Sequence, residues 1–150
     1  MLIAKALRTS VTGGLTVTNL LGNQLDAESA KMLAEVAKQK GISLCGIQRD
    51  QTTADFRKRL QPSEAILLAS DLSQAVVTGA LTSVDLSENH LTNRGRDMTG
   101  ITAIADALCV NGALTGCDLR SSKGGSYMGE EGEALIRSSV QGKARFELNL

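Results

Sequence analysis

The chain has 150 residues, of which 42% are hydrophobic and 2% aromatic, and its 16 basic side chains balance its 16 acidic ones. This length suits one domain with a continuous core, whereas balanced charge and scarce aromatic rings argue against nucleic acid or an anionic membrane surface as a partner. No apolar stretch reaches the roughly 18 residues of a membrane span, and the first residues are too short in their apolar part for a signal peptide, so a cytoplasmic protein is expected.

The first repeated pattern lies at residues 15–25, which read LTVTNLLGNQL. The following segment, 27–37, has apolar residues three and four apart, which is the spacing of an amphipathic helix. The pattern therefore predicts a strand and a loop followed by a helix. Residues 2–7 are predicted to be the tail of a helix that precedes this unit.

A weaker copy, ISLCGIQRDQT, begins at residue 42, and residues 50–64 after it do not fit the pattern. The segment 50–64 is therefore predicted to be an insertion, in which Thr52 and Asp55 could cap a short helix. Phe56 on that helix, beside a basic cluster, is a candidate for docking a partner. The alternative is an ordered excursion with solvated charges.

The apolar run 65–77 predicts the helix of this second unit, beginning after the only proline, Pro62. Further copies of the pattern start at 81 (LTSVDLSENHL), at 114 (LTGCDLRSS) and at 145 (RFELNL), and helices are predicted at 101–108 and 134–140. The five units, which start near positions 15, 42, 81, 114 and 145, are unevenly spaced, and the longer spacings locate insertions. Besides 50–64, insertions are placed at 92–99 and 121–127. The glycines of the latter suggest a phosphate-binding loop, but the order Lys-Gly-Gly-Ser differs from that of known phosphate-binding loops and favours a flexible loop.

The copy at 81–91 matches the template LxxLxLxxNxL at every defining position. From residue 15 to residue 150 the chain resembles the leucine-rich-repeat proteins of the ribonuclease-inhibitor type, in which a full helix follows the template and a Gly-x-x-Gly step, here Gly129 to Gly132, often precedes it. The resemblance implies an α/β solenoid over 1–150, a short horseshoe with parallel strands on the concave face and helices on the convex face. The family includes enzyme inhibitors, GTPase regulators and immune receptors, so the resemblance implies binding without naming a partner.

Residues between the apolar template positions are expected to face the concave side in columns, because side chains alternate along a strand. Three apolar residues on that face, Val17, Leu21 and Leu44, are candidates for partner contact; the alternative is that they pack under the inserted segment. The complete set of candidate contacts is Val17, Asn19, Leu21, Leu44, Gln48, Asp85, Asp118, Arg120 and Phe56.

The three cysteines and the single histidine do not indicate a metal site or a cofactor. Cys45 and Cys117 occupy core positions in strands about 10 Å apart, too far for a disulfide, and Cys109 is expected to be buried or half-buried in a helix. His90 is the only histidine and there is no CxxC motif, so convergent metal ligands are not expected.

The function favoured by these patterns is a non-catalytic protein-protein interaction module that binds through its concave face and insertions. A second interpretation is a structural subunit stacked within a larger assembly, because neither terminus shows the polar cap that closes a solenoid. A third is a hydrolase in which Asp85 and Asp118 lie side by side, since their mutual repulsion would raise one pKa.

Overall fold

The structure is a computed structural model that describes residues 5–6, 14–57, 59–121 and 128–150. The strands in this part of the chain are β1 Thr53–Asp55, β2 Ser83–Asp85, β3 Gly116–Asp118 and β4 Glu147–Asn149. The helices are α1 Ala27–Lys40, α2 Pro62–Leu72, α3 Ala75–Thr78, α4 Thr99–Val110 and α5 Gly129–Val140. The predicted α/β class is confirmed.

The four strands form one parallel sheet in which each strand pairs with the next along the chain. Ala54, Val84, Cys117 and Leu148 occupy equivalent positions in this register, so the interval between successive strands is nearly constant. A helix lies between consecutive strands, as a parallel connection requires. Helices α1, α2, α4 and α5 also pack against one another in chain order.

The first strand of the sheet lies elsewhere than the sequence pattern predicts. β1 falls inside the segment 50–64, for which the pattern predicts an insertion with a short helix; that prediction is wrong. Phe56 follows β1 and is only 5% exposed, in the place that Leu86 takes after β2. Because its ring is enclosed in the core, the interpretation of Phe56 as a docking residue is also wrong.

The two units predicted near 15 and 42 are joined by isolated bridges rather than by regular strands. Val17 pairs with Ser43, and Asn19 pairs with Cys45. Leu15, at the first template position, is 45% exposed. The first unit therefore contributes less to the core than its sequence predicts.

The predicted helical runs 27–37, 101–108 and 134–140 lie within α1, α4 and α5. The run 65–77 is divided between α2 and α3, because Gln74 between them has an extended backbone. Helix α2 begins at Pro62 itself, and the Gln61 and Glu64 side chains complete a capping box there. Of the predicted helix 2–7, only Lys5 and Ala6 are described, and both are helical.

The polar segment 92–99 forms turns before α4, with left-handed backbone at Asn93, Arg94 and Gly95. Most of the other predicted loop, residues 122–127, lies outside the described residues.

Asn89 joins the ends of β1 and β2 inside the core, where it has no exposed surface. Its Oδ1 accepts from the backbone N–H of Leu60 at 2.8 Å, and its Nδ2 donates to the carbonyls of Phe56 at 2.8 Å and Leu86 at 2.9 Å. One side chain thus satisfies three buried backbone groups as the chain leaves two neighbouring strands.

Asp71 of α2 performs a similar role for the segment at 43–45. Its carboxylate is fully buried and accepts from the Ser43 hydroxyl and the Leu44 N–H, both at 2.7 Å, and from the Cys45 N–H at 3.0 Å. Burial raises the pKa of Asp71 to about 6, and the three hydrogen bonds oppose that rise. This carboxylate therefore fixes an irregular segment to a helix that lies well beyond it in the sequence.

The cysteines divide into two kinds. Cys45 and Cys117 are buried free thiols, as predicted, whereas Cys109 on α4 is exposed, and the prediction that it is buried or half-buried is wrong. Residues at the end of a helix lose neighbours on one side, and Val110 beside it is exposed as well.

Thiol labelling should separate these cysteines. In the native protein we expect one equivalent of Ellman's reagent to react quickly, at Cys109, and all three to react in denaturant. Cys117 should be the slowest, because burial raises the pKa of its thiol to about 12. A Cys109→Ser variant that still reacts quickly in native buffer would contradict this assignment.

Candidate functional site

The outward side of the parallel sheet carries polar and charged side chains from all four strands, and we call it the sheet face. Its members are Thr53, Asp55, Ser83, Asp85, Gly116, Asp118, Glu147 and Asn149, with Arg57, Ser87 and Arg120 just beyond the strand ends. Side chains alternate along a strand, so these residues lie opposite the core positions Ala54, Val84 and Cys117.

Three aspartates form a row across the sheet face. Asp55 is the register partner of Asp85, and Asp85 is the partner of Asp118. Neighbouring strands are about 4.8 Å apart, so adjacent aspartates of the row stand closer together than the Debye length of about 8 Å in physiological salt. A row of this kind attracts positively charged side chains.

Two arginines supply that charge through the same local geometry. Arg57 Nε lies 3.0 and 3.1 Å from the two carboxylate oxygens of Asp55, and its Nη2 lies 2.6 Å from Oδ2. Arg120 forms the equivalent fork on Asp118, with Nε at 3.1 Å from both oxygens and Nη2 at 2.6 Å from Oδ2. The repeated Asp-x-Arg spacing places both side chains on one side of the strand.

The middle aspartate is held differently because serine replaces arginine after β2. The Ser87 hydroxyl donates to Asp85 Oδ1 at 2.6 Å, and the Ser87 N–H donates to the same oxygen at 2.9 Å. Asp85 Oδ2 lies 3.5 Å from Nε of Arg57, which therefore bridges β1 and β2. The ion pairs and hydrogen bonds thus join β1 to β2, and the separate Arg120–Asp118 pair stands beside them on β3.

The ion pairs favour the ionised forms of Asp118 and of both arginines. The Arg120 guanidinium lowers the pKa of Asp118, and Asp55 raises the pKa of Arg57, with smaller contributions from Asp85 and Asp118. A carboxyl with a lowered pKa stays ionised at neutral pH and has no proton to donate. The arrangement therefore favours a fixed pattern of charge over general acid catalysis by Asp118.

The sheet face brings together three of the residues predicted as partner contacts, Asp85, Asp118 and Arg120. Leu44, by contrast, has no exposed surface, so its selection as a contact is wrong. The prediction assumed strand alternation through residues 42–47, but the structure has isolated bridges there and Ser43, Leu44 and Cys45 are all buried. Leu44 belongs to the core.

The other predicted contacts lie in the N-terminal part of the described chain. Asn19 and Gln48 are exposed, whereas Val17 and Leu21 are half-buried. Leu21 packs against the edge of the core, so it offers only part of its side chain to a partner.

Asp55 is absent from the predicted contacts, and Arg57 is predicted only as part of a basic cluster on an insertion. Two sequence signals point to them. The triplet Asp-Phe-Arg at 55–57 has the same outer residues as Asp-Leu-Arg at 118–120. In addition, β1 precedes β2 in the sequence by almost the same number of residues as β3 precedes β4. The spacing of the later strands therefore indicates where β1 lies.

Two further properties bear on the kind of site that these residues can form. Nowhere in the described chain do three His, Cys, Asp or Glu side chains form a group that could hold a metal ion. Of the helices described, none combines the length and apolar character needed to cross a membrane.

No protein-family model matches the chain, and no curated protein matches it in sequence.

Proposed function

We propose that the chain is a leucine-rich-repeat solenoid of the ribonuclease-inhibitor type that acts as a non-catalytic protein-binding module, with the sheet face as its binding surface. The solenoid is supported by strands and helices that both follow chain order, by the nearly constant interval between strands, and by the buried asparagine after β2. Stacked repeats of this kind generate extended binding surfaces.

The observation that carries the binding proposal is the charge network of Asp55, Arg57, Asp85, Asp118 and Arg120. The side chains of both arginines are more than half exposed. Exposed ion pairs contribute little to folding, so the network is weakly explained by stability. Two ordered guanidinium groups and three carboxylates instead present a rigid charge pattern, which is the kind of surface that selects a partner by complementarity.

The partner we propose is a protein whose surface carries carboxylates opposite Arg57 and Arg120 and a basic side chain opposite Asp85. The three free cysteines suit a reducing compartment, and we propose the cytoplasm as the location.

Charge reversal on the sheet face tests this proposal. We expect Arg57→Glu and Arg120→Glu each to reduce capture of the bound protein from a native extract by about tenfold, because a rim charge becomes repulsive. Quantitative mass spectrometry of the captured proteins gives the measurement. Thermal melting should be almost unchanged, because both side chains are exposed.

Arg137→Glu on α5 is the matched control, since it makes the same change of charge on an exposed helical residue. Its captured proteins should equal those of the wild type. If the two sheet-face variants also capture the wild-type set at wild-type levels, the sheet face is not the binding surface.

A second candidate function is a subunit stacked in a larger assembly. Leu148 of β4 is only half-buried, whereas its register partner Cys117 and the next residue in the row, Val84, are buried. The core is thus open at the β4 side in the described chain, and an added strand would cover it. Sedimentation of the purified chain distinguishes the two: a monomer at micromolar concentration counts against obligatory stacking.

A further inference from the structure

A groove crosses the helical layer, on the side of the molecule opposite the sheet face. It has a volume of about 440 Å³, its floor is α2, and its walls are α1 and α4. Nine of the eleven residues of α2 are buried, so this helix is recessed between its two neighbours. The recess follows from the sequence of α2, which is apolar around most of its circumference.

Small side chains make up much of the inner surface of the groove, with Ile66 of α2 as a larger exception. Ala34, Ala69 and Ala107 come from three different helices, and all three are buried. Small residues allow the backbone of an incoming helix to approach closely, which increases the van der Waals contact along its length. A larger residue at these positions would close the recess.

An exposed apolar side chain marks one end of the groove. Val110 is 67% exposed, and it lines both this groove and a second depression of about 360 Å³ that also shares Ser73. The two depressions therefore adjoin at Ser73 and Val110. Val76, on the short helix beside the second depression, is 52% exposed.

The walls carry charges in an ordered arrangement. Lys31 and Lys38 stand on the α1 wall, two helical turns or about 10 Å apart, and Glu35 lies between them. Asp106 stands on the opposite wall, on α4. All four residues are exposed, and Lys31 also lies 3.8 Å from a carboxylate oxygen of Glu28, an exposed pair that a partner's carboxylate can replace.

We propose that this groove binds an amphipathic helix of a partner protein, as a second interaction surface separate from the sheet face. The helix would place a stripe of small and aliphatic side chains on the alanine floor and against Val110. On one flank it would carry two acidic residues seven positions apart, which face Lys31 and Lys38, and on the other flank a basic residue that faces Asp106. The seven-residue spacing of these acidic residues matches that of Lys31 and Lys38 on α1, because residues seven apart lie on the same side of a helix.

Synthetic peptides provide the test. A fluorescent peptide of about 18 residues, long enough to form a helix, carries this apolar stripe with Glu at the two flank positions, and a second peptide carries Lys there. We expect fluorescence anisotropy to show that wild-type protein binds the Glu peptide more tightly than the Lys peptide. Lys31→Glu/Lys38→Glu should reverse that preference, with a change of about tenfold for each peptide.

Val110→Asp should weaken binding of the Glu peptide by at least about tenfold, because it puts a charge against the apolar stripe. Met32→Asp is the matched control: Met32 is a 40% exposed apolar residue of α1 that does not line the groove, and binding should be unchanged. Circular dichroism melting of each variant verifies the fold.

Three results would overturn the proposal. They are equal binding of both peptides to the wild type, unchanged binding of the Glu peptide to Val110→Asp, and failure of the Glu peptide to bind the wild type at millimolar concentration. If the chain dimerises and Val110→Asp makes it monomeric while no peptide binds, the occupant is a second copy of this chain instead.

Discussion

Replacing Asp71 by alanine should lower the free energy of unfolding by about 3 to 5 kcal/mol, because it leaves the buried N–H groups of Leu44 and Cys45 without acceptors. The Ser43 hydroxyl loses its acceptor at the same time. Urea denaturation measures the change, and faster amide exchange at Leu44 and Cys45 would locate it. Asp106→Ala, an exposed aspartate on α4, is the matched control and should have almost no effect.

Asp71→Asn separates the size of the side chain from its acceptors. The asparagine amide keeps the volume of the aspartate side chain but presents an NH2 group to the surrounding N–H and O–H donors. We therefore expect Asp71→Asn to be destabilised almost as much as the alanine variant. If Asp71→Asn is as stable as the wild type, the three hydrogen bonds do not hold the segment at 43–45.

The contribution of Asp71 to the free energy of unfolding should also depend on pH, and it should fall as the pH rises. Its pKa is about 6 in the folded protein, above the ordinary value of 3.8, so the folded state binds the proton more tightly than the unfolded state. The stabilisation from protonation is therefore fully present below about pH 4 and is lost as the pH rises through 6. We expect the stability difference between wild type and Asp71→Asn to shrink from pH 4 to pH 7, whereas a constant difference would contradict the raised pKa.

Replacing Phe56 by alanine should cost about 3 to 5 kcal/mol, because it removes a large side chain from the closed core and leaves a cavity. An exposed docking residue on an insertion would give a change of less than about 0.5 kcal/mol. Thermal and urea denaturation distinguish these outcomes. The result thus tests the placement of β1 in the sheet.

Phe56→Leu provides the comparison for that variant. Leucine occupies the equivalent position after β2, at Leu86, and after β3, at Leu119, and both are buried. We expect Phe56→Leu to recover most of the lost stability, since a branched aliphatic side chain fits the same layer of the core. Equal loss in both variants would mean that the site after β1 differs from the other two.

The sequence predicts the C-terminal part of this sheet well, because the residues that define the pattern there are also core residues. Leu81, Leu86 and Leu91 are all buried, and β2 lies within the unit that they define. The same holds for β3, where Cys117 replaces leucine without loss of burial. At these positions the local pattern and the packing agree.

β1 escapes a search for leucines because other residues fill its template positions. Gln51 and Ala54 stand where the third unit has Leu81 and Val84, and Arg59 stands where it has Asn89. The core accommodates the small Ala54 beside the large Phe56, and a template of leucine positions does not indicate such a pairing. The strand is revealed instead by the Asp-Phe-Arg triplet and by the interval to β2.

The candidate site is partly predictable for a related reason. Strand alternation correctly predicts that Asp85, Asp118 and Arg120 lie on the sheet face. It fails for Leu44, because a carboxylate from α2 holds the Leu44 backbone in an irregular segment. A hydrogen bond between residues far apart in the sequence leaves no local signature. Alternation therefore predicts side-chain direction only where the backbone forms a regular ladder.

The shared order of strands and helices along the chain also governs how the molecule should come apart. Since each strand pairs only with its sequence neighbours, loss of one terminal layer removes a single interface and leaves the others intact. The segment around Val17 forms the thinnest of these layers, because only isolated bridges join it to Ser43 and Cys45 and because Leu15 is 45% exposed. Opening from that end, while β2, β3 and β4 stay paired, is then the lowest-energy excursion of the native state, and proteolytic cleavage would start there.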